Sequence, residues 1–205
     1  MTPHIPGVRT PERYGVLLAC GAILSLLAGV AAADAAGDPL GQLMQQLAQR
    51  RHGHAAFVER QFIAILDRPL ESSGELFYDA PDRLEKRTLV PRVESLVLDK
   101  GMVNVRRDKR SYALALRDYP QVAPFIDSIR ATLAGDLAAL EHTYELQFET
   151  VADDWRLLLT PRDPKLAAIV ARIRISGTRD MIHEVAVERA DGDRSIMTIS
   201  PLPGT

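Results

Sequence analysis

The feature that most constrains this chain is a period of two. Over most of its length, short runs of alternating apolar and polar residues are broken by turn residues roughly every 8–12 positions. "SSGELFYDAPDRLEKRT" (72–88) shows this most clearly, alternating on both sides of a turn at Pro81. Before it, "AAFVERQFIAIL" (55–66) reads as a long strand ending in the turn "DRPLESS". After it, "VESLVLDKGMVNVRRDKRSYALAL" reads as three strands, 93–98, 102–107 and 111–116, joined by "DKG" and "RDKR". Strands resume in "TYELQFETV", "DWRLLLTPR", "AIVARIRISGT", "MIHEVAVERA" and "RSIMTIS", with "ADD", "GTRD" and "DGD" among their turns. Alternation gives each strand one buried and one wetted face, and short turns join antiparallel neighbours. About eleven such strands in one domain curl into a barrel or part of one.

Two stretches switch to helical spacing. "DPLGQLMQQLAQRRHG" (38–53) brings Leu40, Leu43, Met44 and Leu47 together, with Asp38 as candidate N-cap, Pro39 at the first helical position and Gly53 at the stop. "YPQVAPFIDSIRATLAGDLAALEHT" (119–143) places Phe125, Ile129 and Leu133 on one face, and Leu137 and Leu140 continue the spacing past Gly135. A short helical turn is expected at "DPKLAAI" (163–169). No Pro- or Gly-rich linker divides the chain. The expected fold class is therefore α+β in a single domain, with an antiparallel sheet, an N-terminal helix and a central helical insertion.

The first residues carry an export pattern. Arg9 and Arg13 precede an uncharged apolar run over 14–30, and "AAAD" offers Ala31 and Ala33 at the small-residue positions of a cleavage site. This layout predicts a secretory signal over 1–33 and a working domain over 34–205. A membrane anchor is the competing reading, because the run approaches the lower length limit of a spanning helix. "LLAC" also loosely resembles a lipoprotein box at Cys20, but the apolar stretch between Arg13 and that cysteine is very short. Cys20 is the sole cysteine, so cleavage at 33 leaves no disulfide, thiolate nucleophile or cysteine-based metal site. Export without a disulfide points to a periplasmic protein held together by its core.

Reactive chemistry is not evident. The chain has 25 basic against 27 acidic residues, which gives no footprint for a nucleic-acid partner. Basic residues do cluster at "RRDKR" (106–110), read first as a solvated hairpin loop and second as a contact for anionic headgroups. There is no G-x-S-x-G elbow, H-E-x-x-H pair or glycine-rich phosphate loop. His52 and His54 straddle an expected helix end with no third ligand nearby in sequence, and His142 and His183 stand alone. "DGD" (191–193) suits a turn better than a calcium loop. No catalytic residue, metal or cofactor is expected.

The order of elements supports a more specific reading. A short helix is followed by "HAAFVERQF", "SSGELFYDAPDRLEKRTLVP" and "ESLVLDKGMVNV", and late in the chain by "DWRLLLTPRD" and "MIHEVAVERADGDRSIMTIS". Gly74, Leu76, Tyr78, Pro81 and Leu84 form a G-x-L-x-Y-x-x-P-x-x-L pattern. Trp155, Leu157, Leu159, Thr160 and Pro161 form W-x-L-x-L-T-P. In this order, the motifs resemble the LolA-type periplasmic outer-membrane lipoprotein carriers over nearly the whole of 34–205. The resemblance implies an incomplete antiparallel barrel of about eleven strands, closed by helices acting as a lid over a hollow for acyl chains. It also implies a monomer that carries an acylated lipoprotein, or a glycolipid, from an inner-membrane donor to an outer-membrane acceptor. Each acyl methylene left in water costs about 0.8 kcal/mol, so such cargo needs an apolar, unreactive enclosure.

The residues expected to line the hollow are Leu76, Tyr78, Leu84, Leu96, Leu98, Val103, Val105, Leu114 and Leu116. Phe125, Ile129 and Leu133 would join them from the insertion, and Leu157 and Leu159 from the later strands. Each is as readily core as lining, because alternation alone does not separate the two. One departure bears on mechanism. The carriers have an arginine directly before the proline of the first motif, where it holds the lid closed; here that residue is Ala80, and Arg83 follows the proline. A lipid-sensing or partner-binding envelope regulator on the same fold is the alternative.

Overall fold

The computed structural model describes residues 38–119 and 123–202. The expected signal segment 1–33, Cys20 included, lies outside the described residues. The six strands of the first meander are β1 (His52–Phe62), β2 (Leu70–Asp79), β3 (Arg83–Val90), β4 (Glu94–Asp99), β5 (Met102–Arg107) and β6 (Arg110–Ala115). After the helical insertion come β7 (Tyr144–Val151), β8 (Asp154–Pro161), β9 (Val170–Thr178), β10 (Met181–Arg189) and β11 (Arg194–Pro201). All eleven join one antiparallel sheet in the order β6-β5-β4-β3-β2-β1-β11-β10-β9-β8-β7. Two meanders therefore run outward from a central pair, β1 and β11, in register from Ala55 opposite Pro201 to Phe62 opposite Arg194. The sheet is open, with β6 and β7 as its edges.

The helices are α1 (Pro39–Ala48), α2 (Ala123–Ala134), α3 (Leu137–Thr143) and the short α4 (Pro164–Ala167). Gly135, at φ +68°, divides the insertion into α2 and α3, and a Cβ there would lie 2.2 Å from the Met44 carbonyl oxygen of α1. Only a glycine lets this turn settle on α1. The β4–β5 turn has Lys100 and Gly101 both at positive φ, the form that matches strand twist in a two-residue hairpin.

Several local expectations are corrected. β1 starts at His52 and stops at Phe62, because the Leu66 amide turns back to the Ile63 carbonyl at 2.9 Å. His52 and His54 therefore lie within a strand, not across a helix end. Leu116 opens a 3₁₀ turn (Leu116–Asp118) instead of ending β6, since its carbonyl accepts the Tyr119 amide at 3.0 Å. Asp38 caps α1 through its backbone carbonyl, which takes the Gln42 amide at 3.0 Å, and not through its side chain.

Register assigns the two faces. Residues opposite one another across an antiparallel pair share a face. One face carries Phe57, Leu76, Leu84, Leu96, Val105 and their partners; we call it inner. The outer face carries a ladder of charge. Arg60 pairs with Glu71 at 2.9 Å, Arg87 with Glu85 at 2.9 Å, Arg172 with Glu188 at 2.7 Å and Arg174 with Glu184 at 3.1 Å. Exposed pairs of this kind contribute little stability, but they fix which side faces water.

The sheet must curl around its inner face. β5 and β7 are nine positions apart in the strand order, about 43 Å in a flat sheet. Yet α2 touches both regions within four residues. Ala123 and Ile126 pack against Leu98, Val103, Val105 and Leu116, while the Pro124 carbonyl accepts a 2.9 Å hydrogen bond from the Tyr144 hydroxyl of β7. Helix α2 thus bridges the gap between the two halves of an incomplete barrel.

Candidate functional site

The two halves of the inner face have different cover. Over β7–β10, α1, α2 and α3 close down on a core containing Leu43, Leu47, Leu140, Tyr144, Leu157, Leu159, Ile173 and Ile175. Leu157 and Leu159 have 0% exposure there, and Phe125 and Ile129 of α2 pack onto the same cluster. Over β2–β6 the cover is thinner. A smaller cluster of Leu98, Val103, Val105 and Leu116 touches only Ala123 and Ile126 of the helices. Leu76, Leu84, Leu96 and Leu114 on this wall are half-buried, and Tyr112 beside them is exposed.

All of the strand residues named from the sequence share the inner face. Tyr78 faces Leu84, Leu84 faces Leu98, Leu98 faces Val103 and Val103 faces Leu114. Leu76 shares that face through Lys86, and Leu96 lies opposite Val105. Leu157 faces Ile175 and Leu159 faces Ile173 in the helix-covered half. Leu116 reaches the small cluster from its 3₁₀ turn, and Leu133 is half-buried on α2 outside both clusters. The structure therefore groups Leu76, Leu84, Leu96 and Leu114 as an accessible wall beside α2, and places Leu157 and Leu159 in a closed core.

A polar group missed in the sequence interrupts the wall. Glu59 of β1 lies on the inner face with only 7% exposure, and Lys86 of β3 and Ser195 of β11 point to it from either side. The Lys86 ammonium donates to one carboxylate oxygen, and the Ser195 hydroxyl donates to the other at 2.6 Å. The same ammonium stands 5.0 Å above the Phe57 ring. Burial pushes the Glu59 carboxyl up, but the Lys86 charge and hydrogen bonds from Lys86, Ser195 and Gln61 outweigh it. The carboxyl is left below its ordinary value. The signal was available as parity: Glu59 is two residues from Phe57, and Lys86 two from Leu84, so strand alternation turns both inward.

Helix α2 is held to the sheet by contacts other than an arginine in the β2–β3 turn. Ala80 precedes Pro81 in a cis peptide bond, and Arg83 turns to the outer face, 3.4 Å from Glu85 and 3.6 Å from Asp79. Tyr144 of β7 secures Pro124 of α2, with its phenol pushed up to about 12 mainly by burial, partly offset by a hydrogen bond with Ser128 and reinforced by Asp127. An open cleft of about 760 Å³ lies beside the first turn of α2, lined by Pro124, His142, Arg162, Lys165, Leu166 and Ile169 among others. It contains none of the expected lining residues. His52 and His54 pair outward with Asp79 at 2.9 Å and Glu75 at 3.4 Å. Among the described residues, no group of three or more His, Cys, Asp or Glu side chains is placed to hold a metal ion.

The family model described as "outer membrane lipoprotein carrier protein LolA-like" matches residues 28–199. No match is found among curated proteins. Among solved structures, a LolA superfamily protein from Nitrosomonas europaea is similar over 80% of this chain and 93% of its own, at 12% identity and a TM-score of 0.43. A putative outer membrane lipoprotein-sorting protein domain from Vibrio parahaemolyticus is similar over 81% of this chain and 92% of its own, at 8% identity and a TM-score of 0.39. The Pseudomonas aeruginosa MucA/MucB complex is similar over 82% of this chain and 59% of the matched chain, at 14% identity and a TM-score of 0.42. At these scores the assignment rests on the family model.

Proposed function

The chain belongs to the LolA-like outer membrane lipoprotein carrier family, and from that premise we propose that it is a periplasmic carrier of an acylated molecule. It acts by binding and release, without catalysis. The observation that carries this reading is the half-covered apolar wall of β2–β6 beside α2, next to a core half that is closed. Acyl chains laid on Leu76, Leu84, Leu96 and Leu114 would be shielded on one side by the sheet and on the other by α2. Burial is non-directional, so the wall can grip chains of different lengths and still let go. An acylated lipoprotein or a glycolipid both fit this grip, passed on by membrane-bound donor and acceptor proteins.

Native mass spectrometry of protein purified from its own envelope tests the reading. Copurified lipid or acylated peptide supports it, as does uptake of a fluorescent fatty acid. Leu96→Asn should lower that uptake at least tenfold while costing only about 1 kcal/mol of stability, since the side chain is half-exposed. Leu98 is unsuitable for this purpose because it is core, at 2% exposure. A protein that arrives empty and takes up no fatty acid sinks the proposal.

A further inference from the structure

The antiparallel meander brings the β1–β2, β3–β4 and β5–β6 loops side by side at one end of the half-barrel. Their tips expose large apolar side chains that a folded domain normally buries: Ile65 at 90%, Val93 at 66% and Val90 at 57%. Between them stand Arg68, Arg92, Arg106, Lys109 and Arg110, all exposed. Among the described residues none of these five forms an ion pair, although the cations of the outer face are largely matched with carboxylates. Asp67 and Asp108 are the acids within the same loops, and Asp193 of the neighbouring β10–β11 turn accepts the Ala64 amide at 2.9 Å, so these five unpaired cations outnumber the three acids beside them. The opposite end differs in character, with Ala80, Pro81 and Asp82 in one turn and Lys100 and Gly101 in the next.

Apolar surface also lies inward of the tips. Leu70 and Tyr112 are exposed at this same end, and register places both on the inner face, beside Gln61 and Val105 respectively. Tyr112 thus extends the apolar wall towards this end, where the inward row of Thr88, Glu94, Arg107 and Arg110 separates it from the loop tips.

We propose that this rim is a membrane-docking surface, in which Ile65, Val90 and Val93 enter the headgroup region of an anionic bilayer and the flanking arginines and lysine meet its phosphates. Apolar side chains interleaved with unpaired cations match such an interface on both counts: burial of the tips and attraction to negative surface potential. An exposed patch rimmed by charge marks an interaction site, and the net positive sign selects an anionic lipid surface as the partner. Docking at this end would bring the open side of the wall to the bilayer, where an acyl chain could pass between the two. This last step rests on the carrier reading; the docking itself does not.

The test is cosedimentation of residues 34–205, which include the whole described unit, with vesicles of equal parts phosphatidylglycerol and phosphatidylcholine. The protein should bind these vesicles, release in high salt, and ignore pure phosphatidylcholine. Ile65→Asp/Val93→Asp should lower partitioning about a hundredfold. Arg92→Glu and Lys109→Glu should each lower it at least about fivefold. Arg156→Ala, on the outer face of the other half, should change nothing. The docking proposal is overturned if the unaltered protein stays in the supernatant, or if Ile65→Asp/Val93→Asp binds as it does. Fatty-acid uptake by the same variants separates the two ideas: rim variants should keep uptake while losing vesicles. Loss of uptake in the unaltered protein would instead count against the carrier reading alone.

Discussion

Replacing Lys86 by methionine isolates the buried charge on the inner face. Methionine keeps most of the apolar stem, so the change is chiefly the loss of a cation beside a carboxylate with 7% exposure. Removing one partner of a buried pair costs about 3–5 kcal/mol. Lys86 keeps 30% side-chain exposure, so water offsets part of this and about 2–3 kcal/mol is expected. A domain of this size loses roughly 2–4 °C of Tm per kcal/mol, which makes about 5–10 °C. The pH dependence is the sharper test. In the unaltered protein the folded carboxyl lies below its ordinary 4.5. Its contribution is therefore present above pH 4.5 and lost as pH falls through the depressed value. In Lys86→Met burial dominates and the folded carboxyl rises above 4.5. The variant is then penalised at neutral pH, and the penalty fades as pH falls towards 4.5. Urea denaturation from neutral to acid pH should show the gap between the two proteins closing on acidification. Glu59→Gln/Lys86→Met should recover most of the neutral-pH loss. A gap that is constant with pH, or no loss at neutral pH, would refute this account of the pair.

Two further outcomes follow from the core and the lid. Leu157→Ala removes a side chain with no exposure and should cost about 3–4 kcal/mol by chemical denaturation, with fatty-acid uptake per folded molecule unchanged. Loss of uptake at intact stability would instead place Leu157 in the wall. Tyr144→Phe leaves the Pro124 carbonyl without its donor and should cost about 1–2 kcal/mol. It should show first as faster amide exchange in α2, and unchanged exchange would mean that this contact does not hold the lid.

The strands were legible because the period of two states both their existence and their faces. The parity that sets Leu76, Tyr78 and Leu84 apart from Glu75, Phe77 and Glu85 is the parity seen in the sheet. What alternation does not encode is which part of a uniform inner face the helices will cover. Leu96 and Leu157 look alike in sequence, yet one is half-exposed and the other closed. That difference comes from α1 and α3 packing across a long sequence separation. Gly177 makes the same point. A Cβ there would meet the Met181 carbonyl oxygen at 2.0 Å and Trp155 Cζ2 at 2.6 Å, a constraint invisible before the hairpin and the tryptophan are brought together. Glu59 and Lys86 were missed for the opposite reason: parity turned them inward, but a charge is ordinarily read as outward.

The unequal cover of the two halves bears on how a lid without a latch arginine can work. Against the wall, α2 contributes mainly Ala123 and Ile126, both partly exposed. Lifting them exposes about half of one isoleucine's buried surface and a little from the alanine, about 1–2 kcal/mol. Breaking the Tyr144 hydrogen bond adds about 1 kcal/mol. The sum, about 2–3 kcal/mol, equals the burial of three or four acyl methylenes at about 0.8 kcal/mol each. On the carrier reading, an acyl chain entering the wall thus offsets the displacement of α2 within its first few carbons, and each further methylene adds net affinity. The other side of α2 can stay seated, because Phe125 and Ile129 pack on the closed core, where Ser128, Ala131 and Thr132 are also buried. On that reading, Phe125 and Ile129 on the closed half serve as the hinge, and Ala123 and Ile126 with the Tyr144–Pro124 hydrogen bond serve as the gate. A single arginine latch is unnecessary when the gate itself is worth only a few methylenes.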